Sequence, residues 1–173
     1  ISGSGDIEAK GGEPDPSILS LAYLAGGGGR IALTTVAADG LAQWRGHAYA
    51  YGGAHAGDAP GGNAGTVYRR EGNQTGVVIV DNNDGFSAEY GADLPVSDTA
   101  EFFASANLVV TKGGALYLTG DVTVNDIDLQ TANAALRLNE YTLTVLSTAH
   151  RNRRHWAKGA VVTCTTNATT GAY

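Results

Sequence analysis

The chain has 173 residues, 25 of them glycine, and its 17 acidic and 11 basic side chains leave a formal net charge of −6. That length suits one domain with its own core, and a hydrophobic share of 43% sets it apart from disordered polyampholytes. The glycines show no collagen-like period, no stretch approaches the roughly 20 apolar residues of a membrane-spanning helix, the acidic balance argues against general nucleic-acid binding, and a lone cysteine, Cys164, excludes an internal disulfide framework or a cysteine-rich zinc site.

The first residues, Ile1-Ser2-Gly3-Ser4-Gly5, hold no apolar run of the signal-peptide kind, and the sequence contains no methionine. It therefore reads as a processed chain or a piece of something longer. Residues 3–12 can be laid over residues 44–53 at an offset of 41, sharing the pattern Gly-x-apolar-x-Ala-x-Gly-Gly. Residues 28–33 match residues 64–69 at an offset of 36. A unit of about 40 residues thus occurs twice, each with two short alternating strands and a glycine-rich loop, which is the signature of stacked units. The run Gly26-Gly27-Gly28-Gly29 precedes a strand pattern rather than a helix. A phosphate cradle, which needs helix amides behind it, is not expected there.

Helix signals are few. Ile18 to Leu24 fits one or two helical turns or a buried strand, and Asp98-x-x-Glu101 resembles a capping box. From residue 77 onward the pattern becomes strand after strand: 77–80, 108–111, 116–118, 122–124, 127–129, 136–138 and 142–145, most with period-2 alternation. Turn chemistry separates them at 112–114, 119–121, 125–126 and 139–140. An alternating run around Cys164 reads as a further strand.

These residues carry a resemblance. Gly28 to Leu33, Tyr49 to Gly53 and Ala64 to Tyr68 resemble the glycine-rich repeats of large bacterial cell-surface proteins. The stretch Leu136-Arg137-Leu138-Asn139-Glu140-Tyr141-Thr142-Leu143-Thr144-Val145 resembles the rungs of autotransporter-type and pectate-lyase-like coils, with Glu140 where those rungs carry glycine. The resemblance implies an all-β chain folded as a right-handed parallel β-helix, a solenoid that is secreted or exposed at the cell surface. It brings no active site with it. An antiparallel β-sandwich or jelly roll is the alternative, since both also show many short strands. One solenoid domain is expected over 1–173, with glycine-rich coils over 1–70, an acidic loop region over 71–106, regular rungs over 107–146 and a basic cap or strand over 147–173.

Three constellations are candidates for function. Asp81-Asn82-Asn83-Asp84-Gly85 resembles a calcium loop with Asp81, Asn83 and Asp84 as oxygen ligands, although its glycine comes fifth and its twelfth position is Ala92. The alternative is a plain turn leaving the 77–80 strand. Residues 1–140 hold all 17 acidic and seven basic side chains, whereas 141–173 hold four basic ones and no acid. Arg151, Arg153, Arg154 and Trp156 in that basic end form a polyanion or sugar site, a solvated cap, or a partner for the acidic loop of a neighbouring molecule. Tyr49 and Tyr51 share one side of a strand, with Trp44 and Tyr68 as candidate neighbours. They form a carbohydrate-binding face or a ladder of stacked rings. His47 is expected to point outward, and no histidine has a metal-site spacing.

The function expected is a non-enzymatic structural or adhesive segment that binds surface polysaccharide or associates with itself end to end. No cofactor is expected apart from possible calcium. A polysaccharide lyase or hydrolase, drawing on Asp81, Asp84, Arg69 and Arg70, is the alternative.

Overall fold

The computed structural model describes residues 1–13, 15, 25–54, 61–85, 92–94, 106–138, 141–146, 162–166 and 169–172. These residues contain strands and turns and no helix. The apolar run at 18–24, the capping box at 98–101 and the turn at 139–140 lie outside them.

The strands are β1 (Ser2–Gly3), β2 (Ile7–Glu8), β3 (Arg30–Thr35), β4 (Gln43–Trp44), β5 (Ala48–Tyr49), β6 (Thr66–Glu71), β7 (Gly76–Asp81), β8 (Ala92–Leu94), β9 (Ala106–Thr111), β10 (Ala115–Leu118), β11 (Val122–Val124), β12 (Asp126–Leu129), β13 (Ala135–Arg137), β14 (Leu143–Val145), β15 (Val162–Thr166) and β16 (Thr169–Ala172). The protein is all-β, its sheets are mixed, and none closes into a barrel. Among the described residues nine of the eleven strand pairings are parallel, so the neighbour relations are not those of an antiparallel sandwich.

The pairing follows the repeats. Ile7 lies opposite Ala48 and Arg30 opposite Thr66, so the offsets of 41 and 36 read from the sequence are the registers of the hydrogen-bonded ladders. In the second half β9, β10 and β11 are each followed about one rung later by β12, β13 and β14. Asn107 faces Asp126, Leu116 faces Leu136 and Val122 faces Leu143. Side chains tie the same rungs together: Asn125 donates to the Asn107 side chain at 2.6 Å, the Lys112 N–H to the Thr131 hydroxyl at 2.7 Å, and the Thr142 N–H to Asp121 at 2.7 Å.

The expected strands fall where the pattern put them, with small shifts. Asp126, read as a turn residue, begins β12, and its carboxylate accepts the Ile127 N–H at 2.9 Å. Two antiparallel hairpins depart from the expected run of parallel rungs. One joins β6 to β7, the other β15 to β16. The first turns through Gly72, whose φ of +53° suits glycine, and the Gly72 N–H donates to the Thr35 carbonyl at 2.8 Å.

The five-stranded sheet β12-β9-β7-β6-β3 separates two cores. Successive residues of β6 enter different ones: Tyr68 joins Val78, Leu108, Leu116, Leu118 and Leu143 in the larger core, while Val67 joins Ile31, Leu33, Leu41 and Ala50 in the smaller. In the larger core, residues opposite in register form apolar ladders such as Val78–Leu108–Ile127 and Val122–Leu143. Each fully buried Leu or Val there contributes about 1.5–3 kcal/mol.

The glycine runs of the first third pack backbone on backbone. Gly26 N–H donates to the Gly12 carbonyl at 2.8 Å, Gly53 N–H to the Gly26 carbonyl at 2.9 Å, Gly62 N–H to the Gly53 carbonyl at 3.0 Å and Gly28 N–H to the Asn63 carbonyl at 2.8 Å. A methyl group on Gly11 or Gly62 would overlap the Gly26 carbonyl, and one on Gly28 the Ala50 carbonyl. None of these three has a positive φ, so close approach is what requires glycine there. Gly28→Ala should therefore lower the unfolding free energy by about 3 kcal/mol or more in denaturant titration, because a backbone carbonyl cannot step aside as a side chain can. Gly12→Ala, which meets nothing within 4 Å, should leave it nearly unchanged.

Candidate functional site

The segment from Trp44 to Tyr51 is held from both edges. The Ile7, Ala9 and Gly11 N–H groups donate to the carbonyls of His47, Tyr49 and Tyr51 at 2.8, 2.8 and 2.9 Å, and the Gly65 N–H donates to the Ala50 carbonyl at 2.6 Å. In extended backbone this sends Ala48 and Ala50 to one side and His47, Tyr49 and Tyr51 to the other. The alanines pack with the smaller core. The three rings form a row: His47 and Tyr49 stack with centroids 5.6 Å apart and planes at 17°, and Tyr51 follows at 5.7 Å, tilted by 57°.

The whole segment from His47 to Tyr51, alanines and rings alike, lines a groove of about 400 Å³. Val67 and Ile79 contribute apolar surface from the five-stranded sheet, and Arg69, Asp81 and Lys112 line it as well. The structure thus brings together three residues singled out in the sequence, Trp44, Tyr49 and Tyr51. Their roles differ. Trp44 is half-buried against the smaller core, its Nε1–H donates to the Gly5 carbonyl at 2.8 Å, and the Arg69 guanidinium lies 6.0 Å from its ring. It anchors the segment. Tyr49 and Tyr51 line the groove and pack against each other as part of the stacked row. Tyr68, expected beside them, is buried in the larger core on the opposite face of the sheet; in β6 the odd neighbour Val67 faces the groove.

Four charge pairs lie in this region, and of their members His47, Arg69, Asp81 and Lys112 line the groove. Lys10 and Glu8 are 2.8 Å apart, His47 and Asp6 3.5 Å, Arg69 and Glu71 3.8 Å, and Lys112 and Asp81 3.4 Å. The Glu8 carboxylate, bonded to the Lys10 ammonium, raises the Lys10 pKa above the ordinary 10.5; desolvation works against this, and the Tyr51 hydroxyl adds a lesser push upward. Asp6 also accepts the His47 N–H at 2.9 Å. Glu8 carries no signal in the sequence, and Asp6 is legible there only as the residue that the 41-residue repeat sets against His47.

The Asp81 to Gly85 stretch is a turn built around its own backbone. Asp81 accepts the Asn83 N–H at 2.7 Å, and Asn83 and Asp84 have φ of 50° and 60°. The Asp84 N–H donates to the Lys112 carbonyl at 2.9 Å. Among the described residues no three His, Cys, Asp or Glu side chains gather as a metal site. The residue that matters most here is Asn82, which the sequence offers only as one member of an Asn/Asp turn. It is buried; its Oδ1 accepts the Gly52 N–H at 3.0 Å, and its amide donates to the carbonyls of Gly62 at 3.2 Å and Gly85 at 3.3 Å. One side chain therefore ties the end of β7 to two glycine runs, one residue from Tyr51. Arg151, Arg153, Arg154 and Trp156 lie outside the described residues. Among the described residues no helix is long and apolar enough to cross a membrane.

Compared with known proteins, the sequence matches no family model, no curated protein and no solved structure.

Asn82→Ala leaves the Gly52 N–H and the Gly62 carbonyl without this partner in a buried site, and should reduce the unfolding free energy by about 2–4 kcal/mol, measured by denaturant titration. The Lys10–Glu8 interaction carries the opposite pH sense from a carboxylate's: with the folded pKa raised, its contribution holds below the ordinary lysine value and is lost as pH rises through the higher one. In NMR titration, Glu8→Gln should bring the Lys10 pKa back towards 10.5.

Proposed function

We propose that this chain is part of a secreted or cell-surface β-solenoid of the right-handed parallel β-helix kind, and that it holds a polysaccharide in the groove beside Tyr49 and Tyr51 without cleaving it. The observation that carries this reading is the groove itself. A concave site of about 400 Å³ with an aromatic wall, apolar surface from Val67 and Ile79 and a few charged groups is the usual form of a small-ligand site. Pyranose rings offer C–H faces to aromatic and apolar surface and hydroxyls to groups such as the tyrosine OH. The solenoid reading is supported by the parallel rungs, which repeat at 19 to 21 residues from β9, β10 and β11 to β12, β13 and β14.

A binding role fits the groove better than catalysis. Glycoside hydrolysis needs two carboxylates about 5–9 Å apart. Among the described residues Asp81 is the one carboxylate that lines the groove, and it is held by the Lys112 ammonium. That ammonium also competes with any calcium ion for Asp81. Arg69, a candidate base for lyase chemistry, is held between Glu71 and the Trp44 ring.

Association between copies is a second reading, favoured by β3. It ends the five-stranded sheet, and among the described residues no strand covers its outer edge. Such an edge is a template for another strand. Sedimentation velocity over a concentration series should show growth in size that Ala32→Pro, at an exposed edge position, abolishes. A single species at all concentrations would remove this second reading.

For the groove, Tyr49→Ala and Tyr51→Ala should each weaken oligosaccharide binding by about tenfold in calorimetry, in line with the ~1–2 kcal/mol an aromatic contact contributes. Binding that survives both substitutions unchanged would place the ligand elsewhere.

A further inference from the structure

We infer that the groove continues past Tyr51 into a second subsite, so that the ligand is an extended stretch of polysaccharide rather than a single sugar or a chain end. This deepens the reading above and rests on it. A second concavity, of about 250 Å³, lies next to the groove, and among the described residues Tyr51 alone lines both. The same two segments wall the two spaces, in chain order. His47 to Tyr51 lines the groove, and Tyr51 to Ala54 lines the second concavity. Along β7 and the turn after it, Ile79 and Asp81 line the groove, and Asn82, Asn83 and Gly85 line the second concavity. At roughly 3.3 Å per extended residue, the path from His47 to Gly53 covers about 20 Å, several times the width of a sugar ring.

The two subsites offer different contacts. The groove has aromatic and apolar surface, with Arg69 and Lys112 against one carboxylate, Asp81. The second subsite is lined by six glycines, so peptide groups form much of its surface, joined by Lys10, Glu13 and the exposed Asn83. Such donors and acceptors suit the hydroxyls of a sugar chain that has already laid its rings along the aromatic row. The Lys10 ammonium stands 5.4 Å from the Tyr51 ring centre, beside the residue where the two spaces meet. Beneath them, the Asn82 side chain accepts the Gly52 N–H at 3.0 Å and donates to the carbonyls of Gly62 at 3.2 Å and Gly85 at 3.3 Å. The two walls are therefore tied together before a ligand arrives, which lowers the ordering cost of binding.

The test is calorimetry on the full chain with dimers and hexamers of two series, cello-oligosaccharides as neutral probes and galacturonate oligomers as acidic ones. In a series that binds, the hexamer should bind on the order of tenfold or more tighter than the dimer. Ala54→Trp places an indole at an exposed position of the second subsite. Glu13→Ala/Asn83→Gly strips two side chains from it, and glycine keeps the φ of 50° at position 83. Each variant should weaken the hexamer on the order of tenfold and leave the dimer unchanged, dimer binding also showing that the groove is folded. Tyr49→Ala should weaken both. A hexamer that binds no tighter than the dimer, or that neither second-subsite variant weakens, would overturn the second subsite and leave the groove intact. Failure of both series to bind, or binding indifferent to Tyr49→Ala, would overturn the glycan groove and this extension with it.

Discussion

Peptide groups touching peptide groups, with no side chain between them, are the contact on which the first half of this molecule depends. Residues 11–12, 26–29, 50–53 and 62–65 approach so closely that a methyl group at Gly11, Gly28, Gly53, Gly62 or Gly65 would overlap a neighbouring carbonyl. Glycine is unfavourable in ordered structure because it gives up the most backbone freedom on folding. Here that loss is offset because each run supplies donors and acceptors to several others: the run at 26–29 donates to Gly12, Asn63 and Ala9 and accepts from Gly53 and Thr66. Buried backbone groups must be paired, and this packing pairs them without a regular sheet. It also explains how so glycine-rich a stretch holds the aromatic row in a defined place.

The legible part of the fold follows from how strands were repeated. When two segments are stacked in parallel register, positions opposite each other meet the same surroundings, so similar residues recur at the pairing offset. That is why the offsets of 41 and 36 between residue patterns became the ladders Ile7–Ala48 and Arg30–Thr66. A run of four apolar residues marked β7, and alternation marked most of β9 to β14. The β6–β7 hairpin was hidden for a physical reason: both its strands carry apolar residues on both faces, since the sheet lies between two cores, and Val67 and Tyr68 are buried on opposite sides. Without a clean alternation in β6, the facing of Tyr68 could not be read from parity.

The site was half visible. Two tyrosines two residues apart announce a shared side of a strand, and Trp44 lies near them. Asn82 gave no signal, because a buried staple and a solvated turn asparagine look alike in a sequence; only its three backbone partners distinguish them. The pairing of charges was equally invisible. Arg69 and Glu71 lie on one strand, but Lys112 meets Asp81 only because β9 lies beside β7 in register, with Asp81 opposite Thr111.

These features are mechanically linked. Asn82 follows Asp81 at the end of β7, so the residue that places a carboxylate at the groove is adjacent to the one that holds the glycine runs. On the other side, Gly52 is fixed by Asn82 and follows Tyr51, whose hydroxyl meets Lys10. A shift of the glycine runs would therefore move Tyr51 relative to Asp81 and change the width of the groove between them. The groove surface and the backbone packing beneath it are one assembly, and the close approach of glycines sets the position of Tyr51 relative to Asp81.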